Sequence, residues 1–347
     1  MRAVVIGAGA VGSRAARQLA STAGLLSLTV VERDRARGAM VAEALGPPAV
    51  AATWAPDLVA GADVVILANP GRQRPMAEKA LEAGAHVVSV ADDLAEVREL
   101  LALDSEARAR SRHLVVGAGF SPGLTCLLAR HAAQALDRVD EVRVARLGTG
   151  GPSCAASRRR VLAGPGLDWR LGGWRHLRRA SGRELCWFPD PVGGRDVFAG
   201  RLPDALLLAA AFPEARRVTA RVASSRRERW LGNFPAAGRT RSEGNLGAVR
   251  VEVRGVREQT PDAVVLGAVD RPAVAAGAVA AVAANWTATR RLARFGAAGL
   301  AELVPEPAPF LRDLAERGVR AAAFDPEGRG PSGAGTGVGV GHEPPPF

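Results

Sequence analysis

The chain has 347 residues, 48% of them hydrophobic, with a formal charge of +11 and a pI near 11.2, which is long enough for two domains around a substantial core. Its basic residues are almost all arginine, Lys79 being the single lysine, and they are scattered without aromatic interleaving or a recognition motif, the pattern of GC-rich coding rather than of a nucleic-acid surface. Cys126, Cys154 and Cys186 have neither CxxC spacing nor a histidine cluster, tyrosine is absent and no stretch reads as a signal peptide or membrane span, so a disulfide framework, a metal site, a Tyr-x-x-x-Lys acid/base pair and a membrane partner are all excluded, and a cytoplasmic location is expected.

Val4 to Gly12 reads VVIGAGAVG, an apolar strand that ends in Gly7-x-Gly9-x-x-Gly12 and opens onto a helix-like stretch from Val11 to Ser21. That is the spacing of a dinucleotide-binding turn: Gly7 for the tight reversal, Gly9 for close approach of a pyrophosphate, Gly12 for packing of helix on strand. Ala10 and Val11 would offer free N–H groups at the positive helix end. Ser27 to Val31 is a second buried strand, and Glu32 at its end falls twenty residues after Gly12, where a ribose-binding acid is expected. Glu32 favours NAD, whereas Arg33 and Arg35 could hold the 2′-phosphate of NADP, and the sequence leaves both open.

A helix from Arg35 to Leu45 follows, then a short Ala-Val strand, a brief crossover and the strand Asp63 to Ala68. Ala68, Asn69 and Pro70 make the next strand-end loop, ahead of a helix from about Arg74 to Ala83. The strand His86 to Val90 leads through Ala91 to Asp92-Asp93, which can cap a long helix from Leu94 to Arg110. His113 to Val116 is one more strand. In the loop GAGFSPG, Ser121 and Pro122 suit the N-cap and first position of a helix from Gly123 to Leu136. Strands alternating with helices build a doubly wound parallel sheet, whose ligands bind at the carboxyl ends of the strands. The loops at Gly7, Glu32, Ala68, Ala91 and Gly117–Gly123 should therefore share one crevice.

From Asp137 the pattern changes to alternation of apolar and polar residues, in VDEVRVARLG, Arg217 to Ser224, Val249 to Val256 and Ala263 to Val269, as expected for a mixed or antiparallel sheet with one solvated face. Between these strands lie GTGGPSCAASRRR and DWRLGGWRHLRR, dense in arginine, glycine and tryptophan. Arg158, Arg159, Arg160, Arg170 and Arg175 are candidates for gripping substrate carboxylates, Arg158 and Arg170 foremost, and Trp169 and Trp174 could wall the site or pack in the core. Helical character returns over Ala273 to Thr289 and Pro309 to Arg317, and the tail from Asp325, rich in glycine and proline, reads as disordered. The expected organisation is a Rossmann domain over 1–136, an inserted α+β domain over 137–270 for substrate and dimer contacts, helices over 271–324 returning to the Rossmann domain, and a disordered 325–347.

VVIGAGAVGSRAARQLA, DVVILANP, KALEAGAHVVSVADD, GAGFSPGLTCLLA and FLRDLAERGV together resemble the saccharopine dehydrogenase (saccharopine reductase) family, including its lysine 6-dehydrogenase-like members, from about Arg2 to Asp325. The resemblance implies a Rossmann domain with an inserted α+β domain, a homodimer, and NAD- or NADP-linked hydride transfer at the amine or imine carbon of an amino-acid-derived, carboxylate-bearing small molecule. Phe120, Ser121, Pro122 and Gly123 are candidates for substrate contact beside Arg158 and Arg170. Asp92 is the carboxylate best placed to exchange a proton, and His176 is the candidate histidine. Two other readings remain open on the same scaffold: a non-catalytic dinucleotide-binding or redox-sensing protein, and a carbonyl or hydroxy-acid dehydrogenase.

Overall fold

The computed structural model describes residues 1–224 and 245–324, and the tail read as disordered lies outside them. The apolar runs of the N-terminal part form strands β1 (Arg2–Ile6), β2 (Ser27–Val31), β3 (Ala49–Ala52), β4 (Val64–Leu67), β5 (His86–Ser89) and β6 (His113–Val116). β4 and β6 are buried at every residue, as strands covered on both faces must be. Every pairing is parallel, in the order β3-β2-β1-β4-β5-β6, with a late strand, Gly296–Ala298, added beside β6. The strand order reverses between β1 and β4, which opens a crevice at their carboxyl ends.

Connecting helices carry the caps that their sequences offer. Helix α1 (Ala10–Ala20) starts at Gly9, and α2 (Arg35–Leu45) is capped by Asp34, whose carboxylate accepts from the Arg37 N–H at 3.2 Å. After α3 (Gln73–Glu82), the expected single helix from Leu94 to Arg110 is two, α4 (Leu94–Leu101) and α5 (Asp104–Ala109). The break follows from two anchors: Leu103 turns into the core at 2% exposure, and the Asp104 carboxylate accepts from the Ala297 N–H at 2.8 Å. Helix α6 (Leu124–Ala133) starts at Gly123, not at Ser121. The Ser121–Pro122 peptide is cis and the Ser121 hydroxyl is turned away from capping.

The second sheet comprises β7 (Arg138–Leu147), β8 (Gly166–Arg170), β9 (Gly173–Leu177), β10 (Glu184–Phe188), β11 (Gly193–Ala199), β12 (Arg217–Ala223), β13 (Gly247–Arg257) and β14 (Thr260–Asp270). Its path is β10-β11-β12-β7-β13-β14, with β8 and β9 branching from β12; β7 and β12 run parallel and the other pairs are antiparallel. Among the described residues two helices interrupt it, α7 (Pro152–Ala163) and α8 (Asp204–Ala211). On β7 the inward parity carries Val142, Val144 and Arg146, the first two fully buried or nearly so.

The C-terminal segment was expected to supply helices to the Rossmann domain, and it also supplies strands to both sheets. Helix α9 (Pro272–Ala288) is buried along most of its length and packs on α1. After it, Gly296–Ala298 extends the parallel sheet, and Ala321–Ala323 pairs with β14 of the second one. Among the described residues no helix is long and apolar enough to cross a membrane.

Candidate active site

The glycine turn sits at the reversal point of the parallel sheet. Gly7 has φ +103°, and a Cβ there would meet the Ala68 carbonyl carbon at 2.8 Å. A Cβ on Gly12 would lie 1.7 Å from the Gly7 oxygen, so only glycine lets α1 close on the strand. Gly9 differs: nothing lies within 4 Å of its Cβ position, which faces open space in the crevice. The first N–H groups of α1 have no intrahelical acceptors. This bare cradle at a positive helix end fits a dinucleotide pyrophosphate.

Glu32 closes the turn from the end of β2. Its Oε2 accepts from the Ala8 N–H at 2.8 Å, and its Oε1 accepts from the N–H groups of Arg33 at 2.9 Å and Asp34 at 3.2 Å. The Asn69-Pro70 loop is held from behind, because the Gln73 amide donates to the Asn69 carbonyl at 2.8 Å and its oxygen accepts from Ser89 at 2.6 Å. These loops line one crevice of 1490 Å³, larger than the roughly 300–1,000 Å³ of a drug-sized pocket. Of the residues expected to hold cofactor, Gly7, Gly9, Ala10, Val11, Glu32, Arg33, Ala68, Asn69, Pro70 and Ala91 line it, while Gly12 supports it from beneath. Arg37 lines it and Arg35 does not.

Across the crevice stands the second domain. Asp92, after β5, has 27% of its side chain accessible and lies 3.9 Å from Arg146 Nη1. Removal from solvent pushes its carboxyl above the usual range, opposed by the Arg146 charge. Asp93 is the true cap of α4, accepting from Ala95 at 3.0 Å and Glu96 at 3.4 Å. Arg146 itself is 7% exposed and donates Nη1 to the Ser121 carbonyl at 2.9 Å. Beyond it, Gly148 to Pro152 bring the start of α7 to the crevice, and Arg158 and Arg160 line the same wall. Arg160 faces Asp93 at 3.4 Å.

Several expected residues stand elsewhere. His176 lies exposed on β9, opposite Leu167, outside the crevice; the strand pair β8–β9 carries it away from the sheet reversal. Arg170 is likewise outside, its guanidinium bound to Asp168 at 3.0 Å. Trp169 and Trp174 stack edge to face at 5.1 Å and pack against the core. Phe120, Ser121 and Pro122 do line the crevice, whereas Gly123 lies behind it with φ +124°. Burial pushes the Cys126 thiol up to about 12 and the Cys154 thiol up to about 11, so neither is a ready thiolate. Arg146 was missed, although its parity with Val142 and Val144 sets a charge on an otherwise apolar face.

Residues 1–120 match the profile of the oxidoreductase family with an NAD-binding Rossmann fold. No curated protein matches the sequence. Among solved structures, the fold is similar to apo saccharopine dehydrogenase (L-Glu forming) from Saccharomyces cerevisiae, with a TM-score of 0.70 at 14% identity over 93% of this chain and 99% of that one. It is also similar to amine dehydrogenase from Mycobacterium smegmatis, with a TM-score of 0.52 at 12% identity over 87% of this chain and 96% of that one. The resemblance read from the motifs thus holds at the level of fold, and residues 1–120 have the NAD-binding Rossmann fold of the profile they match.

Proposed function

We propose that the chain is an NAD(P)-dependent dehydrogenase acting at the amine or imine carbon of a small, carboxylate-bearing, amino-acid-derived substrate held between the Rossmann loops and the second domain. The observation that carries the reading is the juxtaposition of a bare glycine cradle with the half-sheltered Asp92–Arg146 pair in one crevice. The names of the two similar structures, a saccharopine dehydrogenase and an amine dehydrogenase, support the choice of a C–N bond.

Bound nicotinamide supplies the hydride acceptor or donor. The chain's residues orient and shelter. Gly9 and the first turn of α1 receive the pyrophosphate, and Glu32 receives a ribose hydroxyl with its remaining lone pairs. Asp92 accepts a proton from the substrate nitrogen, for which a carboxyl raised by desolvation is better suited than an ordinary one. Arg158 and the start of α7 hold the carboxylate end.

The test is a panel of amino acids, amines and hydroxy acids with NAD+ and NADP+, read at the absorbance of the reduced nicotinamide. Turnover of an amine, falling about 10²–10⁴-fold in Asp92→Asn, is expected. Turnover confined to hydroxy acids would replace the substrate class, and tight cofactor binding without any turnover would make the chain a sensor.

A further inference from the structure

Asp204, the first residue of α8, has no accessible surface and does not line the crevice, which Ser121 does. It accepts from Ser121 Oγ at 2.9 and 3.0 Å and from Thr125 Oγ1 at 2.6 Å. The same loop is held on its other side by Arg146, which donates to the Ser121 carbonyl and faces Asp92 at 3.9 Å. The Nε of Arg146 is buried without a hydrogen-bond partner. One guanidinium, incompletely satisfied, therefore faces Asp92 directly and reaches Asp204 through Ser121 of the seven-residue loop Gly117–Gly123.

We infer that Asp204 is a positioning residue for Asp92, acting through Arg146 and Ser121 to set how strongly the crevice carboxylate holds its proton. This rests on the reading of Asp92 as the proton acceptor. The geometry carries it: Ser121 donates its hydroxyl to Asp204 at 2.9 Å and accepts at its carbonyl from Arg146, which faces Asp92 at 3.9 Å, and the Arg146 charge opposes the rise that burial causes in both acids. A second anion competing for that cation leaves Asp92 more proton-hungry than the Arg146 pair alone would make it. The other groups facing Asp92 are Asp93 and Arg160, whose charges oppose one another, and Ser157 and Cys154 of α7. Facing Asp204 is also Cys126 of α6, a neutral thiol. The Ser121 and Thr125 hydroxyls donate to Asp204 and oppose the rise that burial causes in it.

The experiment is an NMR titration of the whole chain carrying 13Cγ-labelled aspartate, with Asp92→Asn to assign the resonance, and it needs no substrate. In Asp204→Asn, which keeps the shape and an acceptor for Ser121, the Asp92 midpoint is expected to fall by about 0.5 pH or more. Arg146→Gln should raise it, and Asp204→Asn added to Arg146→Gln should move it far less than Asp204→Asn alone. Thr125→Val, which keeps the charge but removes one donor and so favours protonation of Asp204, should lower it by a smaller amount and serves if Asp204→Asn does not fold. An Asp92 midpoint that stays fixed in these variants while thermal stability falls would overturn the inference and leave Asp204 as a brace for the loop. Absence of turnover with the substrate panel would sink the amine reading and leave this titration standing.

Discussion

Glu32 lines the crevice at the end of β2, where the proposed function sets the adenosine ribose, and three backbone N–H groups fix its carboxylate there. A fixed anion at that point repels a 2′-phosphate. Arg33 lines the crevice, but Arg37 is engaged with Asp34 at 3.6 Å. NADH is therefore expected to bind at least about tenfold more tightly than NADPH, a difference of about 1.4 kcal/mol, and Glu32→Gln should shrink the gap. Fluorescence titration with both cofactors checks this, and tighter NADPH binding by the native chain would contradict it. The glycine turn and Glu32 were legible because their chemistry is written in local spacing. Arg146 was half legible, from its parity on β7. Asp204 was not, because the hydroxyls it serves on Ser121 and Thr125 lie far from it in sequence and only the packing of α8 on the loop brings them together.

The segments DWRLGGWRHLRR and GTGGPSCAASRRR show how an arginine-rich stretch misleads when read without its element. The first folds into β8 and β9, where Asp168 is fully buried and bound by Arg221 at 2.7 and 3.0 Å. This pair braces β8 against β12, and Arg170 donates to the same Asp168 carboxylate at 3.0 Å. Asp168→Ala would leave the buried Arg221 guanidinium with only the part-exposed Glu184 at 3.4 Å and the Ala220 carbonyl and should cost about 3 kcal/mol; urea denaturation that shows less than about 1 kcal/mol would remove the pair from the account. The second forms α7, whose Gly-Gly-Pro-Ser opening conceals a helix while delivering it to the crevice. A third local device lies at the opposite edge of the parallel sheet. There the His113 N–H donates to His86 Nδ1 at 3.0 Å, which requires that nitrogen unprotonated, and burial lowers the His86 pKa to about 4 and lowers that of His113 as well. Both depressed values mean that the unfolded chain binds protons first, so stability is full above pH 6.5 and declines as pH falls from there towards about 4. Thermal melting across that window tests it, with His86→Asn expected to flatten the slope; a slope unchanged in the variant would assign it to other groups.

At the scale of the whole chain, the doubly wound parallel sheet was readable because strands buried on both faces are continuous apolar runs separated by capped helices. The second sheet was readable only where its strands alternate cleanly, as β7, β12, β13 and β14 do; β10, β11 and the two late strands are too short or too mixed in polarity to show their period. Their pairing is set instead by neighbours far along the chain, as when Ala321–Ala323 joins β14. The result places the opening of α7 and Arg146 opposite the glycine cradle. The cradle is the premise of every functional statement, and Gly9 isolates it, because a Cβ at that position meets no protein atom within 4 Å and the residue sits at negative φ. The measurement is therefore a calorimetric NADH titration of the native chain and of Gly9→Val, with melting temperatures taken in parallel. Saturable binding to the native chain, weakened at least about tenfold in the variant at an unchanged melting temperature, is the expected result. Native protein that binds no NADH, or a variant that binds it equally well, would contradict the account.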